Sequence, residues 1–461
     1  MDEAYTREQL EAWDDAYVWH PFTPHSVYRT EDPLLIVAGE DHYLIDVDGN
    51  RYLDGVASIW CNTFGHQRQE IDDAVREQLN RIAHSTLLGN AGDRSILLAK
   101  RLTELAPPGL TKVFFSDNGS TAVEVALKMA LQFWQQVGGG EGGRKTKCLA
   151  FTGAYHGDTV GAVSLGGIEL FHSRFRPLLF EAVRAPSPQF YRRPSGQTRE
   201  EAEREFVETF DRLVSLHADE LAVVVMEPGM QGAGGMITYP DGFVAHAREV
   251  TRRHDILLVF DEVAMGMGRS GAMFAAEREN VTPDFLCVAK GLTGGYLPLA
   301  ATLTTERVYE AFLGRPEEGR TFFHGHTYTG NALGCAAALA VLDIFERDSV
   351  IEKLPAKIQK LSNELERLRD TPGRADAGVG DIRQYGLAAG IELVADRSSR
   401  RGFDPAERVG MQVCRAAREA GVFLRPLGDV IVIMPPLSIR DDEIETLVGA
   451  VEHGIQKVLA P

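Results

Sequence analysis

The sequence predicts an α/β protein with a mostly parallel central sheet and a smaller α+β lobe, built from the N-terminal segment and the C-terminal region. Three observations predict it. From about residue 75 to 325, apolar runs of strand length alternate with longer helical patterns, as a parallel sheet covered on both faces requires. Two of those runs end in a residue able to carry chemistry, ILLVFDEV in Asp261 and FLCVAKG in Lys290. Beyond residue 330 the alternation gives way to several helices and a single strand-like run, the order of a separate α+β unit. The division expected is an N-terminal segment over 1–74 that joins the small lobe, a large α/β domain over 75–328 and a C-terminal domain over 329–461.

The opening MDEAYTREQLEAWDD is acidic and amphipathic, where a secretory signal would be basic and then apolar. LLIVAGEDHYLIDVDGNRYLDGVA sets short apolar runs on either side of a DGN turn, the pattern of a meander or hairpin. The large sheet is read in KVFFS, CLAFTG, LAVVVMEP, ILLVFDE, FLCVAKG and LAATLTT, all taken as buried parallel strands. Between the first two, Thr121 to Gln136 places Val123, Leu127, Ala130 and Trp134 on one face. Glu124, Lys128, Gln132 and Gln135 lie largely opposite, which makes an amphipathic helix. The glycine run from Gly138 to Gly143, broken only by Glu141, ends that helix and reads as a surface loop. Past residue 330 come a long Ala/Leu-rich helix, a charged helix around Ile351 to Arg369, the strand LAAGIELV and a last helix after Asp441. No internal repeat stands at a solenoid period.

Charge and cysteine usage remove several function classes. With 48 Lys and Arg against 66 Asp and Glu, the net charge is −18; such a field repels phosphodiester backbones and anionic lipid headgroups. Nucleic acid is therefore not an expected partner. The five cysteines are scattered, odd in number and never spaced as CxxC, so neither a disulfide framework nor a zinc ribbon is indicated. No stretch reaches the ~18 apolar residues of a membrane span, and a cytoplasmic protein without a membrane partner is expected.

In an open α/β sheet, ligands bind at the carboxyl ends of the strands, so Asp261 and Lys290 should emerge at the same rim. A lysine and an aspartate facing one cleft are what pyridoxal phosphate needs. The amine forms a Schiff base, and the carboxylate keeps the pyridine nitrogen protonated. A buried Asp–Lys ion pair would fit the same two residues. KVFFSDNGSTAVE runs from a strand through Asn118, Gly119 and Ser120 into the amphipathic helix, offering free amides and a positive helix end to an anion. Taken alone, the segment is better accounted for by an ordinary N-cap by Ser116, Asp117 or Asn118. In FTGAYHGDT, Tyr155 and His156 follow a strand, where an aromatic ring can stack on a cofactor or pack in the core. His324 and His326 have no third ligand at metal spacing, so no metal is expected. Gly266 to Gly271 reads GMGRSG and fits GxGxxG. However, DEVAM separates it from the strand and no acidic strand end follows ~20 residues on, so it reads as an irregular loop bringing Arg269 toward the cleft. Neither a P-loop nor a GxSxG serine motif is present.

Taken together, FSDNGSTAVEVALKMA, AYHGDT, MEPGMQGAGGM, FDEVAMGMGRSG, AKGLTGGYLPLAATLTT and HGHTYTGNALGCAAA resemble the class III, fold-type I, pyridoxal-phosphate aminotransferases, in matching order over roughly residues 18 to 458. The resemblance implies Lys290 as the Schiff-base lysine, Asp261 as the partner of the ring nitrogen, Tyr155 stacked on the ring, and Gly119 and Ser120 on the phosphate. It implies that Thr327, with His326 beside it, reaches the cofactor of a neighbouring subunit in a homodimer. Phe22, Ile59, Trp60, Gly325 and Arg425 are implied to line the substrate pocket, Arg425 as a guanidinium clamp for a carboxylate. Asp158 and Arg269 are further pocket candidates. The segments WHPFTP, DGVASIWCNTFGH and FLRPLGDVIVIMPP are similar to members that aminate a keto acid in biotin formation. The chain departs from their pattern at Phe22, where tyrosine is usual, at Ile59, where the first of two tryptophans is usual, and at His326, where proline is usual. The small-molecule substrates implied are an amino donor, S-adenosylmethionine or lysine, and a keto acid. An ornithine, 4-aminobutyrate or β-alanine aminotransferase would share every cofactor residue, and a nicotinamide oxidoreductase would rest on GMGRSG alone.

Overall fold

The computed structural model describes residues 5–137, 142–369 and 376–459. A seven-stranded sheet runs in the order Leu110–Ser116, Ala300–Thr305, Phe285–Val288, Leu257–Asp261, Leu221–Met226, Lys147–Phe151, Val183–Ala185. Each apolar run read as a strand is found there. One direction differs from expectation: Ala300–Thr305 pairs antiparallel with both neighbours, while the other pairs are parallel. The stretch 289–299 that precedes it holds only the short 3₁₀ turn Lys290–Thr293. A parallel return needs a crossover of about a dozen residues or more, usually a helix.

The central strands Leu221–Met226, Leu257–Asp261 and Phe285–Val288 are buried throughout. Their side chains alternate between two cores, as the two-residue period of a strand dictates. Val259, Phe285 and Cys287 join Val123, Leu127, Ala130 and Trp134 of the helix Gly119–Val137. Leu258, Phe260, Leu286 and Val288 join the core that also holds Phe206, Phe210 and Phe243. The amphipathic reading of that helix is borne out, with Lys128 and Gln135 exposed. The glycine run that follows lies mostly outside the described residues.

The strands Ile36–Glu40, Tyr43–Asp46 and Arg51–Asp54 form the expected antiparallel meander. Its last strand pairs in parallel with Val422–Phe423, so the start of the chain is stitched to its far end. A second four-stranded sheet, ordered Gly378–Gln384, Ala389–Val394, Val430–Ile433, Pro426–Leu427, is antiparallel. It shares a core with the helices Val350–Leu368, Val409–Glu419 and Asp441–Leu459. Among the described residues no helix is long and apolar enough to cross a membrane.

Candidate active site

The parallel register sets Asp261 beside Cys287, three residues before Lys290. Glu227 follows the next strand, Leu221–Met226, and Tyr155 and His156 follow the one after, Lys147–Phe151. All five residues therefore converge at the carboxyl rim of the sheet, on a cavity of about 720 Å³ that Gly119, Ser120 and Trp60 also line. That volume lies in the range of cofactor and ligand pockets.

Asp261 does not form the ion pair with Lys290 that the sequence left open. Its Oδ2 lies 2.7 Å from His156 Nδ1, and its Oδ1 accepts the Val263 N–H at 3.1 Å. Asp261 is 5% exposed and His156 2%, so the carboxylate is held in one orientation. His156 Nε2 is buried and without a hydrogen-bond partner among the described residues. Glu227 accepts the N–H groups of Tyr155, at 3.0 Å, and Gly232, at 2.8 Å; burial pushes its carboxyl up to about 7. Enclosure by protein lowers the pKa of the Lys290 amine below that of an ordinary lysine, with Asp261 and Glu227 opposing. Its Nζ sits 4.7 Å from the centre of the Trp60 ring, a cation–π arrangement. Tyr155 donates its hydroxyl to Asp158 Oδ2 at 2.6 Å, which ties down the aromatic wall.

The N-terminus of the helix Gly119–Val137 also faces the cavity. Asn118 Oδ1 accepts the Thr121 N–H at 3.0 Å, so the N-cap reading holds. The anion reading is compatible with it, because a cap satisfies only part of the helix end, and Gly119 and Ser120 both face the cavity. A Cβ on Gly119 would stand 2.5 Å from Val263 Cγ1, which explains the glycine.

Trp60 is delivered by a backbone form that no turn residue announced. Ala57, Ser58, Ile59 and Trp60 have φ of 46°, 48°, 64° and 71°, four successive non-glycine residues in the left-handed region at ~1–2 kcal/mol each. The turn is held by the Trp60 N–H on Val56 O at 2.8 Å and the Ser58 hydroxyl on Asp54 Oδ2 at 2.7 Å. It turns Trp60 into the cavity and leaves Ile59 46% exposed. Lys290, at φ 42°, is left-handed as well.

The remaining sequence candidates stand apart from the cavity lining. Phe22 is exposed and meets Phe171 edge-on at 5.2 Å. Gly325, Thr327 and Arg425 are exposed; the Thr327 carbonyl accepts from His84 Nε2 at 2.8 Å. His326 Nδ1 lies 3.3 Å from Asp117 Oδ2. Arg269 is buried and does not reach the cleft as expected: its NH1 donates to the carbonyls of Leu387, at 3.0 Å, and Pro435, at 2.6 Å. The GMGRSG loop thus fastens the C-terminal sheet to the large one, and burial lowers this arginine to about 9. Sequence reasoning passed over Glu227 and Cys61, both at the cavity. Glu227 stands just past a strand end, so the signal that found Asp261 could have found it.

An enclosed amine, a histidine-held carboxylate, an aromatic wall and a helix N-terminus around one cavity fit pyridoxal phosphate, and on this fold they define the class of fold-type I enzymes. The class-III aminotransferase family profile matches residues 26–455. The chain belongs to that family and is a pyridoxal-phosphate-dependent aminotransferase. It is 54% identical over 455 residues, 98% of this chain and 99% of the relative, to adenosylmethionine-8-amino-7-oxononanoate aminotransferase of Geobacter sulfurreducens. The crystal structure of the Methanocaldococcus jannaschii protein of that name is 44% identical with a TM-score of 0.92, over 98% of this chain and 99% of that one. An amine transaminase from an uncultivated Pseudomonas species, solved in its PLP-bound form, is 36% identical with a TM-score of 0.87, over 96% and 98%.

Proposed function

We propose that the chain transfers an amino group to 8-amino-7-oxononanoate, giving 7,8-diaminononanoate on the way to biotin, with S-adenosylmethionine as donor. The observation that carries this reading is end-to-end similarity to relatives named for that reaction, in a chain whose Lys290 and Asp261 share one cavity. Pyridoxal phosphate supplies an aldehyde that takes up an amine and a ring that accepts electrons when the donor's Cα loses its proton.

Lys290 is the amine that anchors the cofactor, and its lowered pKa favours the neutral, nucleophilic form. The same amine would be the base that takes up the proton lost from the donor's Cα. Asp261, oriented by His156, would hold the cofactor's ring nitrogen protonated. Tyr155 would stack on the cofactor ring, and Gly119 and Ser120 would hold its phosphate. Thr327 and His326 serve the cofactor of a second copy, so the working unit is a homodimer; the exposure of Thr327 on the isolated chain accords with this. Arg425 clamps the keto-acid carboxylate, and Phe22, Ile59, Trp60 and Gly325 complete the substrate side. The division at 74/75 and 328/329 belongs to the same reading, supported by the separate sheets. So does a cytoplasmic location, supported by five free cysteines.

For the donor, the retained Trp60 offers a cation–π surface to a sulfonium, worth ~0.5–2 kcal/mol. Lysine is the second reading, favoured by Ile59 and His326, which exchange aromatic and rigid surface for a smaller and a polar group. Single-turnover conversion of the loaded enzyme with each donor tests the choice: reaction with lysine and not S-adenosylmethionine reverses it. Failure of either aminated enzyme to convert 8-amino-7-oxononanoate overturns the substrate assignment. A visible absorption band removed by borohydride, with label retained on Lys290, is expected of the anchor; its absence overturns that role.

A further inference from the structure

One carboxylate outside the cavity lining is tied to its phosphate end by an unbroken chain of hydrogen bonds. Glu124 lies one turn into the helix Gly119–Val137 and is half-buried. Its Oε1 accepts three donors: the Thr159 hydroxyl at 2.7 Å, the Gly161 N–H at 2.7 Å and the Ala162 N–H at 3.2 Å. Thr159 in turn touches Ser120 twice. Its N–H donates to Ser120 Oγ at 3.0 Å, and the two hydroxyl oxygens are 2.8 Å apart. Since the Thr159 hydroxyl proton is directed to Glu124, the proton between the two hydroxyls belongs to Ser120.

Two glycines of YHGDTVG make this approach possible. A Cβ on Gly157 would fall 2.3 Å from Ser120 Oγ, and one on Gly161 would fall 2.3 Å from Glu124 Oε2. The glycine spacing therefore leaves room for the serine and the glutamate that fill it.

We propose that Glu124 is a positioning residue for cofactor phosphate: it anchors the Thr159 hydroxyl, and the Thr159 N–H and hydroxyl together fix Ser120 Oγ in place, from where its one proton can turn from Thr159 to the anion. The inference rests on the cofactor reading above. A dianionic phosphate competes well for the Ser120 proton, because charge-assisted bonds are the stronger ones. A cap of the short helix Val160–Leu165 would account for the two N–H bonds but gives no reason for an effect confined to phosphate.

The test titrates the apoenzyme with pyridoxal phosphate and, separately, with pyridoxal, which has the same aldehyde and no phosphate. Glu124→Ala, Gly161→Ala and Thr159→Val should each weaken pyridoxal phosphate by about tenfold or more and pyridoxal by less than about twofold. Glu124→Gln, which keeps an acceptor oxygen, should stay within about threefold of wild type for both. Equal losses for both probes, or no loss for either, overturn the proposal. Thr159→Val alone decides it if the two alanine variants do not fold. Failure of the wild-type chain to bind pyridoxal phosphate overturns the cofactor reading, and this inference with it.

Discussion

At the floor of the cavity, Asp261, His156 and Glu227 are buried and each is fixed by named hydrogen bonds within the chain. Of the residues proposed for the substrate side and the second copy, Phe22, Ile59, Gly325, Thr327 and Arg425 are exposed and none of these lines the cavity. The floor is a consequence of sheet register: successive parallel strands end together, so whatever follows them is brought together. The exposed set comes from segments whose sequence positions run from residue 22 to residue 425, and it has no such organiser within one chain. Reaction type therefore belongs to the fold, whereas substrate choice belongs to surfaces that a second copy is proposed to complete.

The largest effect expected tests the floor. Lys290→Ala should lower turnover by roughly 10³-fold or more while thermal unfolding shows a folded protein, since the amine is proposed to be both anchor and proton carrier. A variant retaining a tenth of wild-type turnover would place the chemistry elsewhere. Asp261→Asn should keep the cofactor bound and slow the half-reaction roughly 10²-fold, the scale of losing one preorganised electrostatic partner. Unchanged stopped-flow rates would show that His156 and Asp261 are only structural.

Glu227 sharpens the same contrast through pH. Its folded carboxyl holds a proton up to about 7, against 4.5 ordinarily. Between those values the folded state binds a proton that the unfolded state has released, so stability falls as pH rises from 4.5 through about 7. The contribution present below that window and lost above it is ~3 kcal/mol. Denaturation of apo wild type and Glu227→Gln across this window should give a steeper fall for wild type; parallel curves would show that the buried carboxyl is not the source. The smallest effect expected is at Arg425. Arg425→Lys should raise the apparent KM for the keto acid by roughly 5–10-fold and that for the donor hardly at all, because an ammonium cannot match a carboxylate bidentately. Equal changes for both substrates would argue against the clamp.

The floor was the legible part. Full burial writes itself into sequence as unbroken apolar runs, so the strands and the two residues that end them could be located without coordinates. The direction of Ala300–Thr305 was missed although its signal was present, in a connection too short for a crossover. Arg269 could not be placed, because a cationic residue in a glycine loop gives no sign that two backbone carbonyls will take up its guanidinium. Nor could the turn Ala57–Trp60, which has a left-handed backbone without glycine, asparagine or aspartate to signal it.

The pairing of Leu110–Ser116 with Ala300–Thr305 has a meaning for how the protein is born. Its partner lies about 180 residues further along, and at ~5–20 residues per second of synthesis the strand waits on the order of 10–40 s. The meander waits longer still, until Val422–Phe423 arrives. An apolar strand left without its partner for that long invites association with other chains. Limited proteolysis of ribosome-held chains should therefore cut within 110–116 before residues 300–305 have emerged and spare it afterwards; protection already in the shorter chains would mean that the helices alone can shelter it.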